Sequence, residues 1–243
     1  MNKKSRHISP HDAPAILFDL DGTLIDSVPD IAAALNKVLQ GIGRPGFTNA
    51  AVATLVGDGA RTLVARALEM SQPNDIPAFD GTTTDALYQD FIAHYDAAPC
   101  NQTVLYPNAL RCLVALRKQG GKLAIVTNKP EELTQRIMKE LSLAQLFEVI
   151  VGASDARPLK PDPAMLDYAI QAMECKTANA VFIGDSGADV KAARAAQIPV
   201  VLLTHGYMNA DPSLLNADAT LDGFDQLVGA LQTILPKRTG WQA

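Results

Sequence analysis

The chain has 243 residues, 48% hydrophobic and 19% charged, a globular composition long enough for one or two domains. A net charge of −5 argues against a general nucleic-acid binder, which carries a basic stripe. No apolar run approaches the ~18 residues of a membrane span, and Cys100, Cys112 and Cys175 fit no metal pattern, so they read as free thiols of a cytoplasmic protein.

The opening MNKKSRHISPHDAP has no apolar stretch behind its basic start and is no secretory leader; 1–14 and 236–243 are expected to be loose termini. The first predicted strand, AILFDLD, ends at Asp21. Its apolar run leads into two aspartates, Asp19 and Asp21, with one leucine between them. Neighbouring carboxylates hinder each other's ionisation, so a cation is expected beside them.

From 27 to 104 the pattern is helical. Ser27 with Asp30 reads as a capping box with Pro29 early in the helix. Ile31, Leu35, Val38, Leu39 and Ile42 mark its buried face, and ARTLVARALEM and DALYQDFIAHY give two more amphipathic helices. Roughly a hundred residues separate the first strand from the second, where a crossover needs about a dozen. The stretch is therefore expected to be an inserted helical cap domain, tethered by linkers at 26–29 and 103–106.

Beyond it strands and helices alternate. NALRCLVALRKQGG is a helix with a stripe of Leu110, Leu113, Val114 and Leu116, stopped by paired glycines. KLAIVTN is the second strand, and KPEELTQRIMKELSL opens a helix on Pro130 and two acids. Strands FEVIVGASD, AVFIGDS and VVLLTHG follow, with helices PDPAMLDYAIQAMEC and GADVKAARAAQ among them and DATLDG as a weaker edge strand. Short continuous apolar runs belong to strands buried on both faces. The fold class expected is α/β, a doubly wound parallel-sheet (Rossmann-like) core of 15–26 and 105–235, carrying the cap at 27–104.

Ligands of open α/β sheets bind beyond the carboxyl ends of the strands. There stand Asp19 and Asp21, then Thr127 and Asn128, then Asp185 with Ser186; Asp189 follows four residues later, and Lys160 lies in LKPDP. Alternation along a strand turns Asp19 and Asp21 to the same side. Hard carboxylate oxygens suit Mg²⁺. An aspartate can serve as nucleophile in phosphoryl transfer, and a second with a raised pKa can act as general acid and base. The chemistry alone leaves open which aspartate does which.

FDLDGTL, VTNK, the lysine of LKPDP and IGDSGAD together resemble the four motifs of the haloacid dehalogenase-like hydrolase superfamily, in the right order and across the whole core. The cap, TLVGDGARTLVARAL and THGY resemble its phosphoglycolate phosphatase-like branch. The resemblance implies that Asp19 is the nucleophile, Asp21 the general acid/base, and that Thr127 and Lys160 hold phosphoryl oxygens. It also implies Mg²⁺ held by Asp19, the Asp21 carbonyl and Asp185, with Asp189 in direct contact or one remove away. Gln197 stands where a glycine is common, and His205 where an aromatic is.

Arg61, opening a helix after VGDG, is the cap residue placed to bind a carboxylate of the substrate, with Asn128 a further substrate-binding candidate. Each has a plainer reading: Arg61 as a solvated helix arginine, Thr127 and Asn128 as a helix N-cap, Asp189 as a first-turn acid. The function expected is a Mg²⁺-dependent phosphatase of a small phosphate ester, 2-phosphoglycolate foremost, with no nucleic-acid or membrane partner. A sugar phosphomutase or sugar-phosphate phosphatase on the same scaffold is the enzyme alternative, and a phospho-accepting signalling domain the non-enzyme one.

Overall fold

The computed structural model describes residues 12–72, 79–208 and 211–235; what was expected of 1–11 and 236–243 lies outside them. In chain order come β1 (Ala15–Phe18), β2 (Ile25–Asp26), α1 (Val28–Gly41), α2 (Asn49–Ala53), α3 (Ala60–Met70), α4 (Gly81–Ala97) and β3 (Val104–Leu105). Then follow α5 (Ala109–Lys118), β4 (Lys122–Pro130), α6 (Glu131–Glu140), β5 (Val149–Ala153), α7 (Ala164–Ala172), β6 (Ala180–Gly184) and α8 (Gly187–Ala195). The last are β7 (Val200–Leu203), β8 (Ala219–Leu221) and α9 (Leu227–Ile234).

Six strands form one parallel sheet in the order β5-β4-β1-β6-β7-β8. The chain winds outward from β1 in one direction and then in the other, so the switch point lies between β1 and β6, where a crevice opens beyond the strand ends. Both faces of the sheet are covered, which explains the unbroken apolar runs. Ile16 and Phe18 pack into one core with Ile125, Ile183 and Val201, while Ala15 and Leu17 pack into the other with Val126, Phe182 and Leu202. Each such large side chain, wholly buried, contributes about 1.5–3 kcal/mol.

Helix α5 faces the sheet differently from the expected stripe. Its buried row is Ala109, Cys112, Leu113 and Leu116, whereas Leu110 is 47% exposed. Leu110 and Val114 form the adjacent i, i+4 row, turned away from the sheet by about 100°. Helix α8 ends in a Schellman turn, with Ile198 N donating to Ala193 O and Gln197 N to Arg194 O. Gln197 takes the left-handed position there, φ 58°, which a glycine would fill without a Cβ penalty.

Between β2 and β3 stand α1–α4, with α4 packed against α1 and α3. Leu35, Leu39, Leu63, Val64, Ala67, Phe91 and Tyr95 are buried among them, while Ile42, at the end of the expected α1 face, is half-buried. The two strands joining this insert to the sheet pair with each other, Ile25 opposite Leu105 and Asp26 opposite Val104. The capping box expected of Ser27 and Asp30 does not form, because both side chains serve longer-range partners. Ser27 makes no capping bond; its Oγ donates to Asp21 Oδ1 at 2.5 Å. Asp30 accepts from Gln102 N, Thr103 N and Thr103 Oγ1, fastening the start of α1 to the returning strand. The first amides of α1 go instead to Tyr207 Oη, which accepts from Ser27 N at 2.7 Å and Val28 N at 3.2 Å and donates to Asp26.

Candidate active site

β1 runs straight into Asp19, which is 6% exposed. Lys160, from the loop before α7, places its Nζ 2.9 Å from Asp19 Oδ1 and donates to Asp189 Oδ1 at 2.7 Å. Asp189 lies in the first turn of α8 and is wholly buried. There it forms a reciprocal capping box with Ser186: its Oδ2 accepts from Ser186 N and Oγ, and also from Asp185 N. Its acidity thus serves the helix cap and holds Lys160. Asp185, leaving β6, accepts from Thr23 Oγ1 at 2.9 Å and Tyr207 N at 2.8 Å. Gly22 and Gly206 press on the Asp185 carboxylate so closely that a Cβ at either would come within 2.3 Å of Oδ2. Gly22 moreover has φ 83°.

Asp19, Asp185 and Asp189 offer oxygens all within 4.8 Å of one another, against the one ammonium of Lys160. Burial raises Asp19 from its ordinary 3.8 to about 6, with Lys160 opposing and the Asp189 charge adding to the shift. Burial and then the charges of Asp189 and Asp19 raise Asp185 well above its ordinary 3.8. Lys160 loses favour through burial, but Asp189 and Asp19 outweigh that and hold it above its ordinary value. Asp19 Oδ1, although paired with Lys160 in charge, has no well-aligned hydrogen-bond donor. An all-oxygen, net negative cluster with an unmet lone pair has the donor chemistry for a hard divalent cation such as Mg²⁺.

Asp21 has a cation of its own, which the sequence reading missed. Lys129 Nζ donates to both Asp21 oxygens, at 3.0 and 3.1 Å, and to Tyr95 Oη of α4 at 2.6 Å. Among the described residues, each of the paired aspartates thus has a lysine beside it, Lys160 at Asp19 and Lys129 at Asp21. The signal was present: in a strand, Thr127 and Lys129 face the same way by the alternation that aligns Asp19 with Asp21.

Thr127 and Asn128 lie within β4, not at a helix cap. With Asp19, Asp21 and Lys129 they line a cavity whose far wall comes from the insert: Ile31, Val56, Leu63, Phe91 and Tyr95. Thr127 Oγ1 accepts a long bond from Lys129 N and keeps its hydrogen to donate. The Asn128 amide is committed to backbone: Nδ2 donates to Gly57 O and Lys160 O, and Oδ1 accepts from Lys160 N. It thereby locks the Lys160 loop to β4 and ties the loop before α3 to the sheet. Arg61 stands apart from this cavity, its side chain 57% exposed, paired with Asp85 and stacked 4.5 Å from the Tyr88 ring centroid. His205 fills an aromatic place, 4.1 Å from the Tyr106 ring, with Nε2 3.1 Å from Thr23 O.

The family model described as haloacid dehalogenase-like hydrolase matches residues 16–203. A phosphoglycolate phosphatase of Colwellia psychrerythraea is 38% identical over 218 residues, covering 89% of this chain and 96% of the relative. A plasmid phosphoglycolate phosphatase of Cupriavidus necator is 39% identical over 218 residues, covering 89% and 92%. The crystal structure of a predicted phosphoglycolate phosphatase from Haemophilus somnus superposes with a TM-score of 0.84 at 32% identity, covering 90% of this chain and 97% of that one. The chain is a member of the haloacid dehalogenase-like hydrolase family.

Proposed function

We propose that this protein is a phosphoric monoester hydrolase acting on 2-phosphoglycolate through a phosphorylated Asp19. The relatives named phosphoglycolate phosphatases support the substrate. The observation that carries the mechanism is Asp19 itself, buried at the switch point, with an oxygen lacking an aligned donor and Lys160 alongside. In this reading the Asp19 carboxylate attacks phosphorus in line, and the bond to the glycolate oxygen breaks. Lys160 and the Thr127 hydroxyl hold the phosphoryl oxygens. Asp21 gives its proton to the departing oxygen and then takes one from the water that hydrolyses the aspartyl phosphate. Asp19, Asp185 and the Asp21 carbonyl would hold Mg²⁺, with Asp189 one remove away, and the ion would supply charge neutralisation at the phosphoryl group. Residues 27–104 act as a cap, hinged at 26–29 and 103–106, that excludes bulk water during attack.

The test is net phosphate release from 2-phosphoglycolate with Mg²⁺ present, in the wild type and in Asp19→Asn. The wild type should turn over and D19N, folded by circular dichroism, should fall to background, because an amide cannot form the acyl phosphate. Rearranged phosphate ester without free phosphate would indicate a mutase; near-wild-type turnover by D19N would sink the mechanism.

A further inference from the structure

Lys129 has no part in the chemistry above, yet it is among the most enclosed charges of the site. Its side chain is 2% exposed, it lines the cavity with Asp19, Asp21 and Thr127, and its Nζ lies 4.4 Å from the Tyr95 ring centroid. An ammonium has three N–H donors. Here the three face the two oxygens of Asp21 and the Tyr95 hydroxyl. An incoming anion can reach Lys129 only by displacing one of them, and the insert's Ile31, Leu63 and Phe91, lining the same cavity, offer it no donor.

Building on the phosphatase reading, we propose that Lys129 is the specificity residue of this site. It binds a carboxylate carried by the ester carbon itself, and in doing so releases Asp21. Reach selects the position of that carboxylate. Asp21 must come within about 3 Å of the leaving oxygen to protonate it, and Lys129 Nζ is 3.0 Å from Asp21. The cation is therefore one functional group away from the ester oxygen. That is the place of the carboxylate in the phosphate ester of a 2-hydroxy acid, of which 2-phosphoglycolate is the smallest. A neutral ester leaves Lys129 on both oxygens of Asp21 and the acid turned from its task. Recognition of the remote charge thus registers in kcat as well as in KM.

The experiment compares 2-phosphoglycolate with ethyl phosphate, an ester of a two-carbon alcohol without the carboxylate, in the wild type, Lys129→Met and Tyr95→Phe, with folding checked by circular dichroism. The wild type should prefer phosphoglycolate in kcat and in KM. In K129M the ratio of the two kcat/KM values should fall roughly tenfold to a hundredfold, as expected for loss of a hydrogen bond between charged groups. Y95F keeps the ring and removes only the hydroxyl that holds the ammonium, so its ratio should fall by about threefold to tenfold. A structural role for Lys129 would slow both esters together, and an unchanged ratio in K129M overturns the assignment. If K129M does not fold, an unchanged ratio in Y95F overturns it. Wild-type protein that hydrolyses neither ester refutes the phosphatase reading and this inference with it; active wild type with unaltered variants refutes Lys129 alone.

Discussion

Removing the divalent ion should destabilise this protein by an amount that depends on pH in a definite direction. Without the ion, three clustered carboxylates face one ammonium. Asp19 has a pKa of about 6 in the fold against an ordinary 3.8, so the metal-free fold binds that proton more tightly than the unfolded chain does. This stabilisation is complete below pH 3.8 and is lost as the pH rises through 6; Asp185 is shifted the same way. Holding Asp19 ionised at pH 7 costs the metal-free fold on the order of 3 kcal/mol. A cation between the carboxylates offsets that cost. At a hundred times its Kd, Mg²⁺ should contribute about 2.7 kcal/mol, which for a chain of this size is a rise in Tm of about 5–10 °C.

The assay is a set of thermal melts with EDTA or with Mg²⁺ between pH 5 and 8. The Tm gain from Mg²⁺ should grow from pH 5 to pH 7, because the ion competes with protons at the lower end. Asp185→Asn supplies the internal control. Its amide can accept from Tyr207 N and donate to the Thr23 hydroxyl, which rotates to accept, so packing survives. With one charge fewer, metal-free D185N should melt no lower than metal-free wild type and gain little from Mg²⁺. A Mg²⁺ effect that is absent, that shrinks as the pH rises, or that persists in D185N would refute the reasoning.

Three further outcomes are expected. Asp21→Asn should retain Mg²⁺-dependent stabilisation but lose turnover of 2-phosphoglycolate by at least about a hundredfold, with phosphoenzyme trapped in rapid quench when the leaving group is p-nitrophenolate. Arg61→Ala, which breaks an exposed pair with Asp85, should change kcat/KM for phosphoglycolate by less than about threefold; a tenfold loss would restore Arg61 as the carboxylate-binding residue. Asp30→Ala leaves the buried Thr103 amide and hydroxyl, and the amide of exposed Gln102, without their acceptor, so urea melts should show a loss of about 2–4 kcal/mol, and a loss below 1 would contradict the fastening role.

The sheet was legible because its strands announce themselves. A run buried on both faces has no alternation to disguise it, and each of the five main runs stops near the strand's actual end. The acids at those ends were legible for a related reason, since a carboxylate at the end of a buried strand has no packing role to explain it. What sequence could not show was the choice among partners. Ser27 and Asp30 have the spacing of a capping box, but Ser27 turns back to Asp21, while Gln102 and Thr103 are brought to Asp30 by the return of the chain some 70 residues later, and those contacts prevail. Leu110 and Leu113 are equally apolar, and only the placement of α5 decides which is buried. Lys129 was hidden by its own residue type, since a lysine beside a proline at the end of a strand reads as solvated until the insert closes over it.

The two aspartates of the opening motif differ in what surrounds them. Every partner of Asp19 comes from the sheet side: Lys160 from its loop, and Asp185 and Asp189 from the β6–α8 turn. Asp21 is held by groups from both sides of the junction. Ser27 stands where β2 passes into α1, and Lys129 is gripped in turn by Tyr95 on α4. A movement of the insert about the β2–β3 pair must shift Ser27 and Tyr95, and so alter the hold on Asp21, while leaving the partners of Asp19 in place. On the reading proposed above, the nucleophile is thereby held from the sheet side alone. The acid/base carboxylate of that reading is the one gripped from both the sheet and the insert.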